Sequence, residues 1–351
     1  MNSGANRSFD RNSSKSIALS NSSCLCLAIR TAISFRACFF FFLVVTFVTT
    51  YQAGVVVATE ASNTGGLVDI GGGRKIYLQC SGVGSPTIVL ISGTRGAHDD
   101  WTDLMDPKNP AGGTKPSESA VFSQVSKITR TCAYDRPGTT RNDNTVTDST
   151  PVRQPTTAQQ GVADLHALLI AAREPGPYIL VGHSWGGLIA RLFASIYPDE
   201  VSGLVLVDPA SEFLKSSLTP AQWATYIEAT KKLIEPNGLE APDHSRTLEL
   251  LHGTPKVRPM PIVVLTSDKR FDFGAGGPET WPMWRIAQDR LSKVLNAKHV
   301  SGTNSGHVIQ MEQPQLVVEA IEQVVEAVRS GNHEVVRNER IPGCYPKADS
   351  K

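Results

Sequence analysis

A serine hydroxyl attacks a carbonyl only when a nearby base can take its proton, and that base must be oriented by a third group. The stretch Gly182-His183-Ser184-Trp185-Gly186-Gly187 carries the pattern G-x-S-x-G. It follows Tyr178-Ile179-Leu180-Val181, an apolar run that reads as a strand buried on both faces. From Leu188 to Ile196 apolar residues recur at helical spacing. Strand, tight turn and helix are the setting a nucleophile elbow requires. Such a turn strains the serine backbone, and side chains at Gly182 or Gly186 would collide within it. Ser184 is therefore the expected nucleophile, set beside a helix N-terminus whose dipole favours negative charge. A bare glycine-rich turn is the alternative, and the flanking strand and helix argue against it.

His307, in Ser305-Gly306-His307, is the expected base, because it sits on a loop before the closing helix and follows the serine and every acid candidate. His98, His166, His244, His252 and His333 read as surface histidines in loops or on solvated helix faces, and His183 as pointing away from the nucleophile. Three aspartates keep the order serine, acid, histidine. Asp208 directly follows the strand Leu204-Val205-Leu206-Val207 and ranks first; Asp268 is the alternative acid, and Asp272 comes third. Attack on an ester would create an oxyanion, which preorganised backbone N–H groups stabilise. The expected donors are Trp185, directly after the nucleophile, and Thr94, after Gly93. Arg95 and Trp101 are expected to line the pocket entrance.

These residues must be carried by a scaffold. With 351 residues and 40% apolar composition the chain can bury one large core. Strands are expected at 67–70, 74–80, 87–91, 131–134, 204–207 and 262–265, with a weak one at 299–300. Helices are expected over 156–173 and 315–328, and a polar loop of about 106–118 should interrupt a helix resuming near 119–126. Strands alternating with helices imply a mostly parallel sheet covered on both faces, with ligands at the carboxyl ends of its strands. The stretch from Pro209 to Pro259 lies between two core strands and holds helical fragments such as 221–233, so a cap of about 209–259 over the site is expected.

A formal charge of +1 gives no electrostatic case for nucleic acid or acidic partners. The charge is uneven, since Arg7, Arg11, Lys15, Arg30 and Arg36 against Asp10 leave the first 36 residues at +4 and the rest at −3. The basic segment runs into Ala37 to Val48, an apolar core of signal-peptide size with four consecutive phenylalanines. Small residues at Ala58 and Ala61 suit cleavage, so residues 1–58 read as a signal peptide and the protein as secreted or extracytoplasmic. Read without a break, 37–58 is also long enough for an uncleaved signal anchor, which would associate the protein with a membrane. Cys24, Cys26 and Cys38 fall in this leader, leaving Cys80, Cys132 and Cys344, and no spacing resembles a zinc or iron–sulfur ligand set.

Together, Pro86 to Leu90, Ala133-Tyr134-Asp135-Arg136-Pro137-Gly138, Gly182 to Gly187, Gly203 to Pro209 and Gly306-His307 resemble, in order and spacing, the α/β-hydrolase superfamily, over about residues 67–329. The likeness is to lipase- and esterase-type members with a helical cap between strands 6 and 7. It implies an α/β fold with an eight-stranded mostly parallel sheet over 59–351, no metal and no organic cofactor. Family members usually carry His-Gly after the third strand, whereas this chain has Ser92-Gly93, which leaves the hydrogen-bond support of that loop unexplained. The sheet order of the family also sets the end of the second strand, Cys80, beside the start of the fourth, Cys132. That placement allows a disulfide, the alternative being two buried free thiols. The function expected is hydrolysis of a carboxylic ester or related acyl bond of a small molecule through an acyl-enzyme. Carbon–carbon or amide hydrolysis, lyase chemistry, or a slow hydrolase serving as a receptor remain alternatives, because one fold hosts many reactions.

Overall fold

The structure, a computed structural model, describes residues 63–105, 113–234, 238–251, 253–333 and 335. The expected leader with its cysteines, Cys344 and His252 lie outside the described residues. The chain runs through β1 (Thr64–Gly71), β2 (Arg74–Ser81), β3 (Thr87–Ile91), β4 (Asp103–Met105), β5 (Thr114–Pro116), α1 (Val121–Val125), β6 (Thr131–Asp135), α2 (Ala158–Ala172) and β7 (Tyr178–His183). It continues through α3 (Trp185–Ile196), β8 (Val201–Val207), α4 (Phe213–Ser217), α5 (Pro220–Lys231), α6 (His244–Leu251) and β9 (Ile262–Leu265). The last elements are α7 (Trp281–Val294), β10 (Lys298–Val300), α8 (Ile309–Glu312) and α9 (Pro314–Arg329).

Eight strands form the main sheet in the order β1-β2-β6-β3-β7-β8-β9-β10. Only the β1–β2 and β2–β6 pairings are antiparallel; the rest are parallel. The apolar runs explain this: every residue of β3, β6, β7 and β9 is buried, as parallel strands covered on both faces require. Side chains alternate between two cores. Ile179, Val181, Val205 and Val207 join one with Ile321 and Val324 of α9, while Leu180, Leu204 and Leu206 join the other with Trp185 and Phe193 of α3. The edge strand β1 and its neighbour β2 alternate more and less exposed positions instead. There Cys80 pairs directly with Cys132 across the ladder, and a disulfide joins them at a Cα separation of 4.1 Å.

Helix ends follow local chemistry. Thr157 and Gln160 close a capping box at the start of α2, and Thr219 with Gln222 does the same for α5. Between β8 and β9, the sixth and seventh strands of the sheet in chain order, lie α4, α5 and α6.

The segment after β3 departs from expectation. In place of a helix interrupted by a loop, a 3-10 turn at His98–Asp100 leads into the two-stranded ribbon β4–β5, and only Val121–Val125 is α-helical. Trp101 is the reason. Its side chain is fully buried with Ile88, Leu90 and Phe122, and its carbonyl accepts from the Phe122 amide at 3.0 Å, so the chain turns inward there. Trp101 thus belongs to the core and not to a pocket entrance.

Candidate active site

The strand ends bring Ser184 and Asp208 side by side. In the β7–β8 ladder His183 pairs with Val207, and the Ser184 amide donates to the Val207 carbonyl at 3.1 Å. Ser184 is half-buried with φ +49° and ψ −117°, a region that strains any side-chain-bearing residue. The turn is as crowded as the motif requires. A Cβ on Gly182 would fall 2.5 Å from the Gly186 carbonyl oxygen, and one on Gly186 would strike the carbonyl oxygens of Ile91 and Ser92. Trp185 opens α3, where the first backbone N–H groups have no partner within the helix.

Asp208 is fully buried, and its carboxylate accepts four hydrogen bonds. The donors are the Ser267 amide at 3.0 Å, the Ser267 hydroxyl at 2.9 Å, Trp284 Nε1 at 3.0 Å and His307 Nδ1 at 2.7 Å. Four donors offset the desolvation a buried carboxylate suffers. A carboxylate can only accept, so Nδ1 of His307 carries a hydrogen, and in the neutral ring Nε2 is left with its lone pair.

Asp268, the alternative acid, is occupied elsewhere. Its two oxygens accept the amides of Asn304 and Ser305, each at 2.9 Å, and so hold the loop that leads to His307. Asp272 accepts the amide of Gly274 within its own exposed turn. Three further contacts fix the base. Glu312 receives the Gly306 amide, Phe271 stacks on the His307 ring at 4.7 Å, and the edge of Trp284 meets it at 5.5 Å. Ser267, Phe271 and Trp284 were not anticipated from the sequence. For Trp284 the signal was the spacing Trp281, Trp284, Gln288 and Leu291, all buried on one face of α7.

Four of the other histidines do structural work, His183 in the elbow and three that were expected at the surface. His183 Nε2 lies 2.9 Å from the His307 carbonyl oxygen, so the elbow supports the backbone of the base. Burial, then the nearby His307, pulls its pKa well below the ordinary value, and the ring stays neutral. His244 is buried against the Trp185 indole at 4.8 Å and lies 3.2 Å from the Tyr226 hydroxyl; burial brings its pKa to about 4. Its neighbours are polar, but His244, Thr247 and Leu248 form the inward face of α6. His98 pairs with buried Asp135 at 2.8 Å, and His166 pairs with Glu200 at 3.0 Å while stacking on Tyr197. His333 is exposed, as expected.

The Ser92–Arg95 loop passes directly over the elbow. A Cβ on Gly93 would lie 2.8 Å from His183 Nδ1 and 3.2 Å from Ser184 Cβ, so the close approach demands glycine. Thr94 follows, half-buried. Asp100, packed against Gly96 of the same loop, is pushed up to about 7 by burial and then by Asp99. Arg95 reaches the inserted segment, donating to the carbonyls of Glu240 and Leu233. Ring contacts run from His307 through Phe271, Phe273, Tyr226 and His244 to Trp185. Among the described residues the one cluster with metal-ligand spacing is Cys80, Cys132 and Glu174, and the disulfide occupies both sulfurs.

Comparison with known proteins bears on the family and the fold. The uncharacterized protein YqjL of Bacillus subtilis is 28% identical over 239 residues, 67% of this chain and 81% of that protein. A pimeloyl-[acyl-carrier protein] methyl ester esterase of Chromobacterium violaceum is 35% identical over 97 residues, 27% of this chain and 38% of the esterase. Among solved structures, lip1 of Acinetobacter baumannii AYE, a candidate lipase, aligns with a TM-score of 0.51 at 20% identity, covering 77% of this chain and 93% of its own. A model of the alpha/beta hydrolase family matches residues 88–320, most of the described chain. The chain belongs to the alpha/beta hydrolase family, and with esterase relatives it is a hydrolase.

Proposed function

We propose that the protein is a serine hydrolase that cleaves a carboxylic ester or related acyl bond of a small molecule through a covalent acyl-enzyme. The observation that carries this reading is the bond between His307 Nδ1 and buried Asp208, at the end of the strand beside the one that presents Ser184. In the reaction, Nε2 of His307 takes the Ser184 proton as Oγ attacks the carbonyl carbon, and the carbonyl π electrons move onto oxygen. The amides of Trp185 and Thr94 receive that oxyanion. Collapse expels the alcohol, which takes the proton from His307, and water repeats the sequence to release the acid. Asp208 holds the ring through Nδ1 and stabilises the imidazolium.

The segment between β8 and β9 is the proposed cap. Its contribution to the ring contacts, Tyr226 and His244, is uncharged at neutral pH, since burial raises the tyrosine pKa and lowers that of the histidine. Those walls favour an uncharged, apolar acyl or alcohol group. Export is part of the proposal, because the Cys80–Cys132 bridge suits an oxidising compartment.

One experiment addresses both parts. Cells expressing the full chain are fractionated and labelled with a fluorophosphonate, beside cells expressing Ser184→Ala. Label in the extracytoplasmic fraction that vanishes in the variant is expected. Equal labelling of the variant would remove Ser184 as nucleophile, and label confined to the cytoplasm would remove export.

A further inference from the structure

The loop after β3 lacks the family's usual histidine, and its support comes from the inserted segment. Arg136, buried at the end of β6, donates from Nη1 to the Ser92 carbonyl at 2.9 Å and from Nη2 to the Gly93 carbonyl at 2.6 Å. The same guanidinium binds the buried Glu240 carboxylate, Nε to Oε1 at 2.6 Å and Nη2 to Oε2 at 3.0 Å. Glu240 Oε2 also accepts the Arg95 amide at 2.7 Å. Its own amide donates to the Gly138 carbonyl at 2.8 Å, tying it to the turn that follows Arg136. One carboxylate from between β8 and β9 therefore grips the loop at Arg95 directly and at Ser92 and Gly93 through Arg136.

Peptide geometry turns this grip into an orientation. In a trans peptide the carbonyl and the following N–H point to opposite sides. With the carbonyls of Ser92 and Gly93 drawn to Arg136, the N–H groups of Gly93 and Thr94 point away from it, on backbone that packs against Ser184. A neutral group at position 240 would also leave the Arg136 charge buried without its counter-charge. Burial of an ion pair is costly unless geometry is good and the remaining donors are used, and here the guanidinium's other bonds fall on the loop itself.

We propose that Glu240 is a positioning residue for catalysis, which acts through Arg136 and the Arg95 amide to hold the Ser92–Arg95 loop so that the Thr94 amide meets the oxyanion. The hole is then complete only while the inserted segment is docked. This rests on the serine-hydrolase reading above. An oxyanion donor acts in the transition state and little in the ground state, so misplacing it lowers kcat and leaves KM nearly unchanged.

The test compares wild type, Glu240→Ala, Glu240→Gln and Arg136→Lys on p-nitrophenyl butyrate. Each variant is also titrated with an aliphatic trifluoromethyl ketone, whose adduct with the serine carries an oxyanion. Glu240→Ala is expected to lose about 100-fold in kcat, the scale of one lost oxyanion donor, with KM within about twofold and ketone affinity weakened in parallel. Glu240→Gln, which keeps one acceptor oxygen, should recover part of both losses, and Arg136→Lys should resemble Glu240→Ala. Thermal unfolding confirms that each variant is folded at assay temperature; if Glu240→Ala is not, Glu240→Gln carries the same two readouts. Unchanged kcat and ketone affinity in a folded variant, or a loss confined to KM, would overturn the proposal. Failure of the wild type to label at Ser184 would instead overturn the reading it rests on.

Discussion

The two sides of the site are built differently. On the strand-end side, position follows from the backbone: the Ser184 amide continues the ladder to Val207, and the Asp208 amide continues the next to Leu265. On the side of the segment between β8 and β9, a few isolated backbone bonds such as Glu240 to Gly138 are joined by side-chain contacts, with Glu240 on Arg136 and Arg95, Tyr226 on His244, and His244 on Trp185. The burial differs accordingly. Nearly all of α3 is buried, whereas α5 buries only Tyr226 among its twelve residues. Moving the strand-end residues would cost the sheet, while the inserted residues can change without disturbing it. The proposed chemistry is thus anchored in the sheet, and the proposed alignment of the loop after β3 in the segment attached to it.

The largest effect that could break this comparison concerns the acid. Asp208→Asn should lower kcat by about 10⁴-fold, since an asparagine no longer holds the Nδ1–H tautomer or stabilises the imidazolium. Asp268→Asn should cost less than about tenfold, because the residue holds the His307 loop only through amides. Steady-state hydrolysis of p-nitrophenyl butyrate separates them. Wild-type activity in Asp208→Asn would transfer the role to Asp268.

How far the sequence discloses this site depends on the distance between partners. Ser184 was legible because strand, glycines and helix lie within about twenty residues, and buried strands such as β3, β7 and β9 were legible as continuous apolar runs. Asp208 and Asp268 both followed buried strands, and only the tertiary arrangement separates them. Ser267 and Glu240 stayed hidden, since their bonds span 59 and 104 positions and no local pattern marks them, and the helical spacing that marks Trp284 as buried says nothing of its bond to Asp208, 76 positions away. The ribbon after β3 was misread because burial of Trp101 overrides what its polar surroundings suggest. His244 failed the same way, judged by its neighbours in sequence rather than its face on α6.

On the inserted side the sharpest probe is pH. His244 is neutral in the fold with a pKa of about 4, against about 6.5 when unfolded. The unfolded chain therefore binds the extra proton between those values, so stability is full above about pH 6.5 and falls as pH drops toward 4. Between pH 7 and 4.5 this one group should cost on the order of 2–3 kcal/mol. His183 adds a slope of the same sign, because its pKa is also depressed. In His244→Gln, which keeps an acceptor for the Tyr226 hydroxyl, the slope from His244 should vanish and that from His183 remain. Urea unfolding at a series of pH values reads the difference; parallel curves for wild type and variant would place His244 in water.

The smallest effect separates the support of the acid from the ring contacts of the inserted segment. Trp284→Phe keeps an aromatic ring against His307 but removes one of four donors to Asp208. A hydrogen bond to a charged group is worth about 1.5–3 kcal/mol, and the carboxylate keeps both Ser267 donors and His307. Only part of that energy should reach the transition state, as a looser imidazole, so kcat is expected to fall about tenfold with KM unchanged. Tyr226→Phe removes a hydrogen bond from the inserted side, to His244, which touches Trp185 by its ring and no reacting atom. Its kcat should stay within about twofold of wild type. If Tyr226→Phe costs as much as Trp284→Phe, the Tyr226–His244–Trp185 contacts also align the reacting groups, and the inserted segment does more than hold the loop through Glu240.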